Sequence, residues 1–560
     1  MKRMLAILTA SFLLLAGVAA QADAALPQAD LFEDVNPGPS GSHVGAFLPI
    51  GDRFWTSADS GQTGREPWLL DDGKLSLISD ISPGLGSSDP GPSAELGGFI
   101  YFSATDPDHG MELWRSNGTT TELVKDIEPG PSSSFPAQLV RAGNRIFFSA
   151  GDSTNGRELW QVDGGVATLA TDIYPGLGSS SPSYLTAFQG KVYFSAYTPT
   201  HGTELWSSDG VTTSEVSDIY PGSASSQPTN LTVAGGLLYL AAGEGVSGNE
   251  LYKSSGGPPT LVKDIEPSAT SSYPDQMAAI GGKLFFRAQN ATSGSEPWIS
   301  DGTTTTQIID LAPGPESSYA ANFTEMGGTV YFSALIPDSG SRLFRTDGTT
   351  VQLATDQFPD DSRGIYGLKA TGGRLYFAMN IPATGYEPWV FDQTGVHMVR
   401  DILAGPEGSG PTGFTEYGDG VIFGADDGIH GSEPWLIHPD REVKVTLLGS
   451  RLGVSKKGFT GLKLACPGNE ANGPCSSKIS VTTRKPVRVR GKRRKVTLSR
   501  KSIQVLPGNT GTARLTFSRK NIRLLRRSPA ARRVLITVKA ADNAGNEQTI
   551  KKKYRLGRPA

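Results

Sequence analysis

Gly110-Met-Glu-Leu-Trp114-Arg-Ser-Asn-Gly118 decides the architecture, because close variants of it recur eight more times at an almost constant spacing. The aromatic position reads Trp68, Trp114, Trp160, Trp206, Tyr252, Trp298, Phe344, Trp389 and Trp435, at intervals of 46 residues with a single 45. Four residues upstream a glycine stands in all nine copies, Gly64 to Gly431. Two residues upstream a glutamate stands in eight, with Arg342 as the exception.

Each copy carries the same order of strand signals. In the third repeat, runs beginning at Ala137, Arg145, Glu158 and Val166 are short and rich in β-branched and aromatic residues, and we name them a, b, c and d. Gly-rich pairs such as Gly281-Gly282 separate a from b, and Asp-Gly or a relative, as at Asp209-Gly210, separates c from d. Both are hairpin chemistry. One four-stranded sheet cannot bury both of its faces, so a 46-residue period of four antiparallel strands predicts stacked neighbours, the blades of a β-propeller. The expected fold is all-β: nine four-stranded repeats over 25–438, or eight with one displaced unit, followed by a β-sandwich over 441–560. The strand c rings (Trp68, Trp114, Trp160, Trp206, Trp298, Trp389, Trp435) are expected to be structural, packed between adjacent sheets. Nine a-b-c triplets precede only eight d strands, so Ala29-Asp-Leu-Phe-Glu-Asp-Val35 is expected to complete the ninth blade beside residues 433–437.

Composition agrees with a loop-rich, folded chain: 560 residues include 69 Gly and 38 Pro, and 19% are charged. Met1-Lys-Arg-Met, an apolar run to Ala20 and Ala22-Asp-Ala24 have the three regions of a secretory signal peptide over 1–24, predicting export to the outside or the cell surface. No later stretch reaches the roughly 18 apolar residues that cross a bilayer, so no transmembrane segment is expected after signal removal. The net charge of −3 conceals a division: residues 441–560 hold 31 Lys+Arg against 4 Asp+Glu, and the first 440 hold 21 against 51. Such asymmetry marks a boundary near Pro439 and suggests two kinds of partner.

Glu204-Leu-Trp-Ser-Ser-Asp-Gly210, Glu296-Pro-Trp-Ile-Ser-Asp-Gly-Thr303, Asp126-Ile-Glu-Pro-Gly130 and the Tyr-Phe-Ser-Ala runs at 101–104 and 331–334 resemble the bacterial secreted proteins with ELWxxDGT repeats, some labelled hyalin-like. The resemblance covers about 34–438. It implies a secreted or surface-exposed repeat protein and supplies no catalytic residues.

The d-to-a and b-to-c connections are long and emerge on one side of a propeller, which predicts one elaborated face carrying the binding function. The glutamate before the strand c ring is expected to accept hydrogen bonds from amides of the b-to-c loop. An aspartate opens every d-to-a loop, from Asp34 and Asp80 to Asp401, and is expected to accept bonds within its own loop. Calcium is the alternative occupant, although no copy has the DxDxDG spacing. His109, His201 and His430 share one repeat position in separated blades and are expected to be exposed loop residues. No carboxylate pair stands out for glycoside hydrolysis, so no catalytic residue and no other cofactor is assigned. The irregular repeats direct attention to Arg342 and to Asp360, Asp361, Arg363 and Tyr366, which should be neighbours on the elaborated face as a candidate binding site.

Beyond Arg441, alternating runs such as Val443–Leu447 and Val534–Val538 predict the sandwich, and Ala540-Ala-Asp-Asn-Ala-Gly-Asn546 resembles the last hairpin loop of bacterial immunoglobulin-like domains. Ser518 to Arg527 is the expected helix, and Cys466 and Cys475 are expected to form a disulfide. The functional expectation is a secreted or cell-surface binding protein with an extracellular glycan or protein ligand, whose basic domain attaches to an anionic cell-envelope polymer and not to nucleic acid. The alternative is an exported propeller hydrolase acting on glycans.

Overall fold

The computed structural model describes residues 27–559 except 92, 268, 360, 419, 439–445, 448–450, 456–457, 466–474, 490, 506–509 and 542–546. The expected signal peptide, Asp360, Cys466 and most of the 540–546 loop therefore lie outside the described residues. Two compact units meet at the 438/439 boundary, one spanning Ala29–His438 and the other holding Pro439–Ala560.

The first unit contains nine four-stranded antiparallel sheets. In blade three they run Ala137–Ala142, Arg145–Asp152, Gly156–Asp163 and Val166–Thr171, in the order a, b, c, d. The ninth sheet is composite: Thr412–Tyr417, Gly420–Asp426 and Ser432–His438 are completed by Gln28–Leu31. Phe32 N–H extends that pairing to Pro434 O at 2.9 Å. The closing strand is thus shorter than expected but occupies the expected edge.

Strand b places an aromatic or leucine directly opposite most strand c rings, as in Phe102 with Trp114, Phe148 with Trp160 and Phe286 with Trp298. Each pair then packs onto the preceding blade. Phe148, Ala150 and Trp160, for example, share a cluster with Tyr101, Leu113 and Ile127 of blade two. Nine buried clusters of this kind serve the nine junctions, including the one where Ile422 of blade nine meets Val44, Phe47 and Leu70 of blade one. The hydrophobic driving force is therefore spent between blades, which is why the period is that of a complete ring.

Turn chemistry explains the spacing. Gly281 and Gly282 have φ of +58° and +77°, the two left-handed residues that a type I′ hairpin requires. The c-to-d connections differ from a uniform two-residue turn. Blade three uses Gly164-Gly165, whereas blade four uses four residues in which Asp209 accepts from the amides of Val211 at 2.9 Å and Thr212 at 2.8 Å. The repeated glycine upstream of the ring answers to close approach: at Gly156, φ +68°, a Cβ would lie 2.0 Å from Gly178 O of the d-to-a loop.

The second unit has a three-stranded sheet, Thr446–Leu447, Phe459–Ala465 and Thr510–Thr516, and a five-stranded sheet of Arg451–Leu452, Glu547–Leu556, Arg533–Ala541, Cys475–Thr483 and Thr497–Val505. Leu462, Leu464, Ala513 and Leu515 of the first share one core with Ile479, Val481, Ile536 and Val538 of the second. The helix Arg519–Arg527 is capped by Ser518, whose Oγ accepts from Asn521 N–H at 3.2 Å. The basic run around 488–495 forms a hairpin of Val487–Val489 with Lys492–Arg494.

Candidate functional site: the channel mouth of the propeller

From blade two to blade nine successive a strands touch one another, as the innermost strands of a propeller do. Seven of them carry a bulge at the same register, and its residue is left-handed: Gln138, Tyr184, Asn230, Gln276 and Asn322 have φ between +51° and +61°, with glycine at 367 and 413. A bulge re-aims a side chain. Here it aims amides at the next blade: Gln138 Oε1 accepts from Leu185 N–H at 3.2 Å, Asn230 Nδ2 donates to Pro274 O at 3.0 Å, and Asn322 Nδ2 donates to Ile365 O at 3.1 Å. Between these strands lies a concavity of about 550 Å³ that includes Tyr184, Asn230, Gln276 and Asn322.

A second left-handed series sits at the end of seven of the nine d-to-a loops: His43, Asp89, Phe135, Ser181, Gln227, Tyr273 and Tyr319 have φ of +44° to +50°. Their N–H groups donate to the residue preceding each strand c glutamate or its equivalent, as Phe135 does to Met111 O and Tyr273 to Asn249 O. Non-glycine residues pay strain in this conformation, most of all bulky ones. Gly410 takes the conformation without that strain in the loop into blade nine, and Arg363 in the loop into blade eight does not adopt it. Phe135, Tyr273 and Tyr319 are nevertheless 55%, 62% and 58% exposed, so strained aromatic rings face solvent beside the innermost strands.

Arginines support the mouth. Arg157 Nη2 donates to Phe135 O at 3.0 Å and Nη1 to Ser149 Oγ at 3.1 Å, and burial lowers its pKa. Arg65 does the same for His43 O and Ser57 Oγ. Arg287 pairs with Asp275 and lies 6.0 Å from the Tyr319 ring centroid. Sequence reasoning missed this series. Its available signal was the position that follows the second serine of each Ser-Ser pair, which varies in identity while the backbone conformation does not.

The glutamate series is sealed. Glu66, Glu112, Glu158, Glu204, Glu250, Glu296, Glu387 and Glu433 have no exposed surface, and burial raises every one of their pKa values. Their partners correct the expectation of the b-to-c loop. They are amides of the d-to-a loop: Glu158 accepts from Ile173 N–H at 3.0 Å, Ser180 N–H at 2.8 Å and Ser180 Oγ at 2.5 Å. The reason is topological, since that loop folds back across the start of strand c. The first serine of each pair completes the tie, Ser179 Oγ accepting from Arg157 N–H at 2.9 Å.

The loop aspartates accept within their own loops: Asp80, Asp126, Asp172 and Asp218 Oδ2 take the N–H of Gly84, Gly130, Gly176 and Gly222 at 3.1 to 3.3 Å. Among the described residues no group of three or more His, Cys, Asp and Glu is placed to hold a metal ion. His109, His201 and His430 each face a carboxylate, of Asp106, Glu215 and Asp427.

In blade seven Arg342 replaces the glutamate and Nη1 donates to Ser362 Oγ at 2.8 Å and Ser341 O at 3.0 Å. Arg342 and the 361–363 loop are thus brought together, but Arg342 supports that loop. Asp361 and Arg363 are exposed, and Tyr366 leaves the loop for strand a, where its ring lies 5.6 Å from Tyr386. Burial and the Tyr366 contact push Tyr386 up to about 12. A separate cavity of about 490 Å³ opens between blades seven and eight on the short-turn face, beside Arg345, Gln357 and Asp392.

No family model and no curated protein matches the sequence. Among solved structures, the chain is similar to one of two prolyl endopeptidases (12% identity, 67% of this chain and 54% of that one, TM-score 0.36). It is also similar to the BP39L lectin from Burkholderia pseudomallei (10%, 59% and 98%, TM-score 0.29) and to the WD40 domain of SCAP from fission yeast (11%, 74% and 98%, TM-score 0.34). The chain spans about half the length of the endopeptidase it matches. Among the described residues no helix is long and apolar enough to cross a membrane.

Proposed function

We propose that this is a secreted or cell-surface binding protein of the ELWxxDGT-repeat kind, which grips a glycan chain at the channel mouth of its propeller. A C-terminal immunoglobulin-like unit, closed by a Cys466–Cys475 disulfide, attaches it to an anionic polymer of the cell envelope. The observation that supports the glycan site is the exposure of Phe135, Tyr273 and Tyr319 at left-handed positions that glycine would fill without strain. An aromatic face offers apolar area to the C–H side of a sugar ring. Ser181 and Gln227, at the equivalent positions in the blades between, supply hydroxyl and amide groups for its hydroxyls. The buried glutamates cannot reach a substrate, and no observation favours the hydrolase alternative.

A glycan array on the intact protein tests this. Retention of one glycan class that is lost in Phe135→Ala/Tyr273→Ala/Tyr319→Ala, with the thermal midpoint unchanged, is the expected outcome. Absence of any glycan signal, or retention of the signal by the triple variant, would remove the mouth from consideration; capture of a peptide instead would change the ligand class.

A further inference from the structure

We infer that the outer face of the five-stranded sheet in the C-terminal unit is the docking surface for a linear phosphate polymer. The inference rests on the envelope-attachment part of the proposed function and gives it a place and a chemistry. Directly opposed residues in antiparallel strands share a face, and the register orders this one into rows. Lys478 stands opposite Lys539, with Ser502 and Thr549 outside them. The next row holds Arg500, Ser480, Thr537 and Lys551. Lys553 follows opposite Leu535, and Arg533 opposite Arg555 closes the series.

These seven cations are exposed, while the alternate residues Ile479, Ile536, Val538 and Tyr554 are buried in the core. Among the described residues none of the seven makes an ion pair or a side-chain hydrogen bond. The only acidic residue on these strands is Glu547, at the far end of the sheet. A concavity of about 740 Å³ lies among Lys478, Ser480, Arg500, Ser502 and Lys539.

Two observations point to a ligand. Like charges directly opposite destabilise a sheet, yet the face contains two such pairs, Lys478 with Lys539 and Arg533 with Arg555. An anion laid along the face neutralises both. The cations also recur at every second residue of a strand, about 6.6 Å apart, so an extended polyanion meets several in succession. Four of the seven are lysines with serine and threonine hydroxyls between them. Ammonium charges, guanidinium forks and hydroxyl donors all suit the oxygens of a phosphate chain.

The test is retention of the full chain on immobilised inorganic polyphosphate, with hyaluronate and duplex DNA as parallel supports, across a salt series. Lys478→Gln/Arg500→Gln/Lys539→Gln/Lys551→Gln should lower affinity roughly 100-fold and flatten the log–log salt slope by about 3. A matched variant at Arg488, Arg493, Arg494 and Arg523 should change affinity less than about tenfold. Lys539→Glu is the variant that guards against misfolding: it turns a repulsive cross-strand pair into an attractive one, so its midpoint should rise while retention falls.

Equal losses in the two quadruple variants, or unchanged retention in Lys539→Glu, would overturn the face while leaving envelope attachment standing. Preference for hyaluronate or DNA over polyphosphate would overturn the phosphate assignment. Self-association at low salt without polyphosphate retention would give the face to the acidic propeller of a second copy. Failure of the wild type on every support would overturn the attachment itself.

Discussion

Glu158 and Ser180 lie twenty-two residues apart and meet twice, Oε2 accepting the serine Oγ–H at 2.5 Å and Oε1 the serine N–H at 2.8 Å. The same pair of contacts joins Glu112 to Ser134 and Glu204 to Ser226. Each carboxylate fixes the loop that carries a mouth residue, since Phe135 and Ser181 are the next residues in the chain. Replacing Glu158 by alanine strands several buried donors, a loss of about 3 kcal/mol. Denaturant unfolding of the variant checks this, and a change under 1 kcal/mol would show that the carboxylate is dispensable.

Stability should fall as pH rises from 5 to 8. Burial raises the eight glutamates above their ordinary 4.5, so the folded chain keeps protons that the unfolded chain has released. Their contribution is largest at and below pH 4.5 and declines as pH passes upward through the folded values. Hydrogen bonds to carboxylates raise His109, His201 and His430 above 6.5, and their contribution is likewise complete below 6.5 and lost above it. A thermal midpoint that rose with pH over this window would contradict both sets of groups.

Trp160→Ala should cost about 3 to 5 kcal/mol, because Trp160 is 4% exposed within the junction of blades two and three. Ligand binding should disappear only together with folding. A variant of native stability that no longer binds would make the ring a contact residue.

Gly156→Ala should unfold the third blade locally or abolish expression, since the added methyl falls 2.0 Å from Gly178 O, a rigid backbone atom. Native-state hydrogen exchange across 156–180 is the measurement, and wild-type protection there would refute the close-approach account.

Legibility followed repetition. A pattern written nine times, such as the Trp160 position or Gly156, could be read because every copy repeats one physical demand. The direction of the Glu158 contacts was not readable: spacing shows that a carboxylate is buried but not which of two long loops folds over it. The mouth was hidden for a different reason. His43, Asp89, Phe135, Ser181 and Gln227 have nothing in common as side chains, and only their backbone conformation unites them. Likewise Arg342 drew attention as an exception, and its guanidinium was found supporting Ser362.

The composite ninth sheet sets an order of events. Val35 N–H donates to Glu433 Oε2 across 398 residues of chain, at the same sheet edge that Gln28–Leu31 completes. During synthesis the first blades therefore wait with one flank uncovered until residue 438 has emerged, and contacts of such separation form late. The latch delays the commitment of the chain: eight junctions can zip successively from one end, but the ring gains its last junction only when both ends of the unit are present.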